Sequence, residues 1–302
     1  MQTVVKHSLR SHLSDADFWL GGFALVATFA ALYPLLGWLV QSTIAQERLW
    51  HAFLVLAFFS FALLYKRERI PLLTLRLSNR AMSCLLVGYG FIITAALSSW
   101  TLLLLPALCA VLAALLFFIS DHFRPRLVAA LVAALGGFIA LSWLMEPLDW
   151  PLRMVAGMTS QSFFDWIGNN AQLGIIGGAD GPRLILAVSQ QLFEVAPECN
   201  GFGVITSSLL LTTLVGIYNG LRPLGLLLWL LIALVIGLFM NWLRIAIIVS
   251  LAPHMMPHYD LMHEIVGGAT YWATLLGLWF LVHWAANESK QAPATVSEKA
   301  KE

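Results

Sequence analysis

Residues 224–251 read LGLLLWLLIALVIGLFMNWLRIAIIVSL, a run whose only strongly polar side chains are Asn241, Arg244 and Ser250. As a helix it is ~42 Å long, more than the ~30 Å of a bilayer's hydrocarbon core. Backbone groups in lipid must find their hydrogen-bond partners inside the segment, so such a run is a helix, long enough here to tilt or project. Working outward, apolar runs recur at 18–40, 50–65, 81–99, 101–120, 127–145, 202–221 and 264–284. The expected fold is therefore an all-α polytopic membrane protein with about eight transmembrane helices.

Composition agrees. Of 302 residues, 60% are hydrophobic and 11% charged, against roughly 25% charged in soluble domains. The formal net charge of +1 gives no electrostatic case for nucleic acid. The run at 18–40 is too long for a signal-peptide core and lacks a small-residue cleavage pattern, so it is expected to stay in the membrane.

Lysine and arginine set the orientation. With the N-terminus inside, 13 of the 17 basic residues are cytoplasmic, among them Lys66, Arg67, Arg69, Arg76, Arg80, Arg124, Arg126 and Arg222. Arg48, Arg153 and Arg183 are left outside, and Arg244 lies within a span. Both termini are then inside. The division expected is a five-helix scaffold (1–145), an extracytoplasmic loop (146–198), a three-helix catalytic region (199–286) and a disordered cytoplasmic tail (287–302). In the loop, Glu146-Pro147-Leu148-Asp149-Trp150-Pro151 is expected to break the preceding helix, and 152–167 to form an amphipathic helix in the interface. Ile175-Ile176-Gly177-Gly178, the turn-rich Ala179-Asp180-Gly181-Pro182 and the strand-like 183–188 fit a small hairpin or an irregular loop equally well.

Ionisable groups in membrane helices are costly and tend to mark function. Cys84 and Cys109 sit in apolar runs and read as small buried hydrophobes. Cys199 differs: it lies in Glu198-Cys199-Asn200-Gly201 at the outer head of the run at 202–221. Free N–H groups and positive partial charge at a helix N-terminus favour a thiolate. Arg244 is ~30 Å up its helix, near the outer interface; Asn241, three residues earlier, shares its face and is expected to orient it. His263 opens the last run at the same outer level. A cysteine nucleophile, a histidine acid/base and an arginine for the oxyanion form a complete acyl-transfer set.

Cys199-Asn200-Gly201 at the head of a helix, Asn241-x-x-Arg244 late in the next, and His263 with Gly267 opening the last resemble the exosortase/archaeosortase family of membrane transpeptidases. The resemblance is specific over roughly 185–284. It implies a membrane-embedded cysteine protease/transpeptidase of the cytoplasmic (inner) membrane, with its site facing the periplasm or exterior and no cofactor or metal. Cys199 would be the nucleophile, His263 the general acid/base and Arg244 the oxyanion stabiliser, supported by Asn241, Asn200 and Gly201. Substrates would be exported proteins ending in a short motif of PEP-CTERM type, one transmembrane helix and a basic tail; the acceptor nucleophile is open. Asn200 stands where the family often has Ser, and Glu198 where a small residue is frequent. Glu198 places a carboxylate beside the thiol, which opposes thiolate formation.

Two rival readings draw on other features. His254, His258, His263 and Glu264 invite a zinc protease, but Pro253 and Pro257 interrupt the helix that would align the first two, and the second histidine of H-E-x-x-H is missing. A non-enzymatic transporter or scaffold would favour interrupted helices, repeats and midplane polar groups, whereas the polar residues here gather at one face. Serine chemistry has only Ser207 and Ser208, without a nucleophile elbow.

Overall fold

The computed structural model describes residues 16–45, 47–65, 75–178, 181–189 and 191–299. Its helices are α1 (Ala16–Ala31), α2 (Tyr33–Ala45), α3 (Glu47–Tyr65), α4 (Asn79–Ser98), α5 (Leu104–Ile119), α6 (Pro125–Trp166), α7 (Phe202–Asn219), α8 (Pro223–Met255) and α9 (Tyr259–Lys299). Between α6 and α7 lie strands β1 (Gln172–Gly178), β2 (Gly181–Val188) and β3 (Gln191–Glu194).

Five stretches of these residues are long and apolar enough to cross a membrane: Asn79–Ser98, Thr101–Ile119, Pro125–Trp166, Phe202–Asn219 and Pro223–Glu288. Phe18–Ala31 with Tyr33–Gln41, bent by 60°, makes a sixth if counted as one span. The expected run at 50–65 lies in the 19-residue α3, whose stretch Ala52–Phe61 is apolar. The last two expected runs fall in one apolar stretch that doubles back at the 3-10 turn Met256–His258. There α8 and α9 lie side by side: a Cβ on Gly267 would stand 3.1 Å from Arg244 Nη2. Along α8, Leu224, Leu227, Leu228, Leu231, Val235 and Phe239 are exposed at helical spacing, and Ala233, Gly237 and Asn241 are buried. An exposed apolar stripe of that length suits lipid and not water.

The described residues fall into two compact units, the first ending at Ser142 and interrupted by Glu47–Val55, which belongs to the second. In the first, α4 packs on α5 through small residues, with a Gly88 Cβ position 3.0 Å from Val111 Cγ2. Such residues let membrane helices approach closely. Cys109 packs as a core residue, its Sγ 2.7 Å from the Cβ position of Gly136.

The second unit holds Glu47–Val55 of α3, the C-terminal part of α6, the sheet and α7–α9. Here the proline-flanked segment departs from expectation. The helix is not broken at 146–151: α6 is continuous for 42 residues, with Pro147 and Pro151 inside it. Each proline removes one N–H, and since they are four apart the second leaves unpaired the carbonyl of the first. An Asp149–Arg153 ion pair bridges the same turn. At ~63 Å, α6 is about twice the hydrocarbon thickness, so the expected interfacial helix 152–167 is its projecting end.

The loop beyond α6 is folded as a three-stranded antiparallel sheet, order β1-β2-β3; the turn residues 179–180 lie outside the described ones. Side chains alternate between the faces of a strand. Leu184, Leu186 and Val188 of β2 are thereby buried against Ala156 and Phe164 of α6 and Ile245 and Val249 of α8. In this unit α7 is the innermost helix, with 67% of its apolar window buried; Ser207 and Tyr271 join it to α9 by a 2.7 Å hydroxyl contact. The tail expected to be disordered is helical to Lys299. Its Ala, Glu and Lys are strong helix formers, and extending an existing helix needs no new nucleus.

Candidate active site

Cys199 lies in a 3-10 turn, Pro197–Asn200, that feeds into α7 through Gly201. The Cys199 N–H donates to Ala196 O at 2.8 Å. Its half-buried side chain packs on the cluster formed by the sheet, α6 and α8. Gly201 has φ +75°, and a Cβ there would lie 2.5 Å from Asn241 Cγ. Both the left-handed backbone and the close approach require glycine. Asn241, 3% exposed, donates through Nδ2 to the Cys199 carbonyl at 2.9 Å. Expected to orient Arg244, it holds the cysteine turn instead.

Asn200, 2% exposed, acts in both directions. Its Oδ1 accepts from the Phe202 N–H at 2.8 Å, and its Nδ2 donates to Asp149 Oδ1 at 2.5 Å. Asp149 in turn pairs with Arg153, whose guanidinium lies 5.5 Å from the Trp150 ring centroid. The turn after Cys199 is thus anchored to the projecting end of α6. Sequence reasoning missed Asp149 because its proline-flanked segment read as a break. The i, i+4 spacing of Asp149 and Arg153 was the available signal.

Arg244 Nη2 approaches His263 Nε2 at 3.4 Å. A guanidinium has no acceptor, so in this contact Nε2 can only accept, which puts the ring proton on Nδ1. The guanidinium lies close to Gly267, 3.1–3.2 Å from its Cβ position, so a side chain there would push it aside. Arg244 Nε is buried without a hydrogen-bond partner.

One small cleft brings the thiol and the imidazole together. Cys199 and His263 both line it, with Phe193, Glu194, Val195, Ile248 and Tyr259 among the other walls. Tyr259, also missed from sequence, lies one helical turn before His263, with ring centroids 6.1 Å apart, and is within electrostatic reach of Cys199 and Arg244. The Glu198 side chain lies outside the described ones. Among the described residues no three His, Cys, Asp or Glu side chains converge as a metal site.

Residues 43–280 match the family model for the transmembrane exosortase (Exosortase_EpsH). The chain belongs to the transmembrane exosortase family. The matched span covers most of the chain and contains Cys199, Asn241, Arg244 and His263. Membership, with the apolar spans, makes the chain a multi-pass membrane protein of a protease/transpeptidase family. No curated protein and no solved structure matches it.

Proposed function

We propose that this exosortase is a cysteine protease/transpeptidase. On this reading it cleaves C-terminal sorting signals of PEP-CTERM type from exported proteins, at the outer face of the cytoplasmic membrane. The shared cleft carries the proposal: a thiol from the head of α7 and an imidazole from the start of α9 face one space, with the guanidinium of α8 touching the imidazole. The charge distribution supports the orientation, since 13 of 17 basic residues are then cytoplasmic.

In the mechanism, His263 Nε2 exchanges its contact with Arg244 for the Cys199 thiol proton, and the thiolate so formed attacks a substrate carbonyl carbon to make a C–S bond. Arg244, with first-turn N–H groups of α7 beyond the one held by Asn200, stabilises the oxyanion. As the tetrahedral species collapses, the C–N bond breaks and His263 protonates the departing amine. The resulting thioester is attacked by an acceptor amine or water that gives its proton to His263, which frees Cys199. Asn241, Asn200 and Gly201 fix the turn from which the thiol acts.

Replacing Cys199 with Ala in the native host tests this reading. Exported proteins should retain their C-terminal helix and basic tail while the variant accumulates normally in the membrane. Continued processing would overturn it.

A further inference from the structure

We infer that the substrate segment around the scissile bond binds as an added β-strand along the free edge of β3, an inference that rests on the reading of the cleft as a protease site. The sheet order β1-β2-β3 leaves β3 at an edge, and no strand lies on its other side among the described residues. The register shows which backbone groups point that way. Val195 N donates to Leu184 O at 2.8 Å, which makes 184 and 195 a hydrogen-bonded pair. Such pairs alternate along an antiparallel ladder. Leu186 with Phe193 and Val188 with Gln191 are therefore bonded pairs, and Ala187 with Leu192 and Ile185 with Glu194 are not. The N–H and C=O of Leu192 and Glu194 consequently point away from β2.

That edge belongs to the cleft. Phe193, Glu194 and Val195 form one wall; Cys199, Tyr259 and His263 line the same space. An extended peptide is the occupant that uses both features, since it satisfies an unpaired edge and presents successive carbonyls along it. Its alternate side chains would meet a largely apolar surface, including Leu186, Ile245, Ile248 and Val249. A folded or helical segment would leave the β3 backbone groups unpaired. Main-chain recognition of this kind would hold many different substrates in one register before the thiol.

Proline tests the edge selectively. At Glu194 or Leu192 it removes an outward N–H and leaves the bonds to β2 intact, which edge strands tolerate. Glu194→Pro and Leu192→Pro are each compared with the alanine variant at the same position, in the full chain and native host. Two readouts are taken: the rate at which exported proteins lose their C-terminal tails, and alkylation of Cys199 by a membrane-impermeant maleimide. The expected result is at least about a fivefold slower rate for proline than for alanine at one or both positions, the loss of one hydrogen bond to substrate, with unchanged alkylation. Proline variants that process as fast as their alanine counterparts overturn the edge-strand inference, as does slowing accompanied in both cases by lost alkylation. Processing that survives in Cys199→Ala refutes the protease reading itself and is a separate result.

Discussion

Gly201→Ala strikes the turn that presents Cys199. The native residue holds φ +75°, and keeping an alanine left-handed costs about 1–2 kcal/mol. The new methyl would also stand 2.5 Å from Asn241 Cγ, 2.7 Å from Nδ2 and 2.8 Å from Cβ. Asn241 is buried and yields only by releasing the Cys199 carbonyl, a hydrogen bond worth about 1 kcal/mol. The expected destabilisation is about 2–3 kcal/mol, or a fall in melting temperature of about 5 °C or more. Tryptophan fluorescence of the purified protein in detergent reads the melting temperature, and maleimide labelling reads Cys199. A cycle with Asn241→Ala removes the clashes with Cγ and Nδ2 and keeps the one with Cβ: Gly201→Ala should cost at least about 1 kcal/mol less when Asn241 is already truncated. Additive effects, or a single variant that melts within about 1 °C of the parent, would refute this description of the turn.

Three further substitutions probe the surroundings. Arg244→Lys keeps the charge and loses the planar fork; processing should fall about 100-fold or more while Cys199 still labels with maleimide. Gly267→Ala pushes a methyl into the guanidinium and displaces it from His263, so processing should slow about tenfold or more with near-normal protein levels in the membrane. Asp149→Ala leaves Arg153 without its carboxylate and removes the acceptor of Asn200; it should destabilise by about 3 kcal/mol, read by the same fluorescence melt, and Asp149→Ala with Arg153→Met should recover part of that loss.

Much of the candidate site was legible in the sequence because an ionisable group in an apolar run stands out. Cys199, Arg244 and His263 were found that way, and the structure brings all three to one place. Their neighbours were harder to see. Asn241 was placed on the correct face of its helix, but its partner proved to be the Cys199 carbonyl, a tertiary contact that helical spacing cannot show. Asp149 was hidden by the assumption that Pro147 and Pro151 end a helix, a rule that weakens in a long helix with flanking turns on both sides. The sheet was half visible. Arg183–Val188 carried strand character, whereas the four residues of β3 are too few for a periodic signal. The doubling back of α8 onto α9 carries no glycine at its 3-10 turn, Met256–His258, so Pro257 and the hydropathy dip around His254–Asp260 marked it.

On the proposed mechanism, Cys199 carries the substrate as a thioester. Intact-protein mass spectrometry of the membrane-extracted enzyme, quenched in acid during turnover, measures this directly. A hydroxylamine-labile adduct should map to the peptide containing Cys199 and disappear in Cys199→Ala. Turnover with no adduct in that peptide, or with an adduct on another side chain, would contradict it.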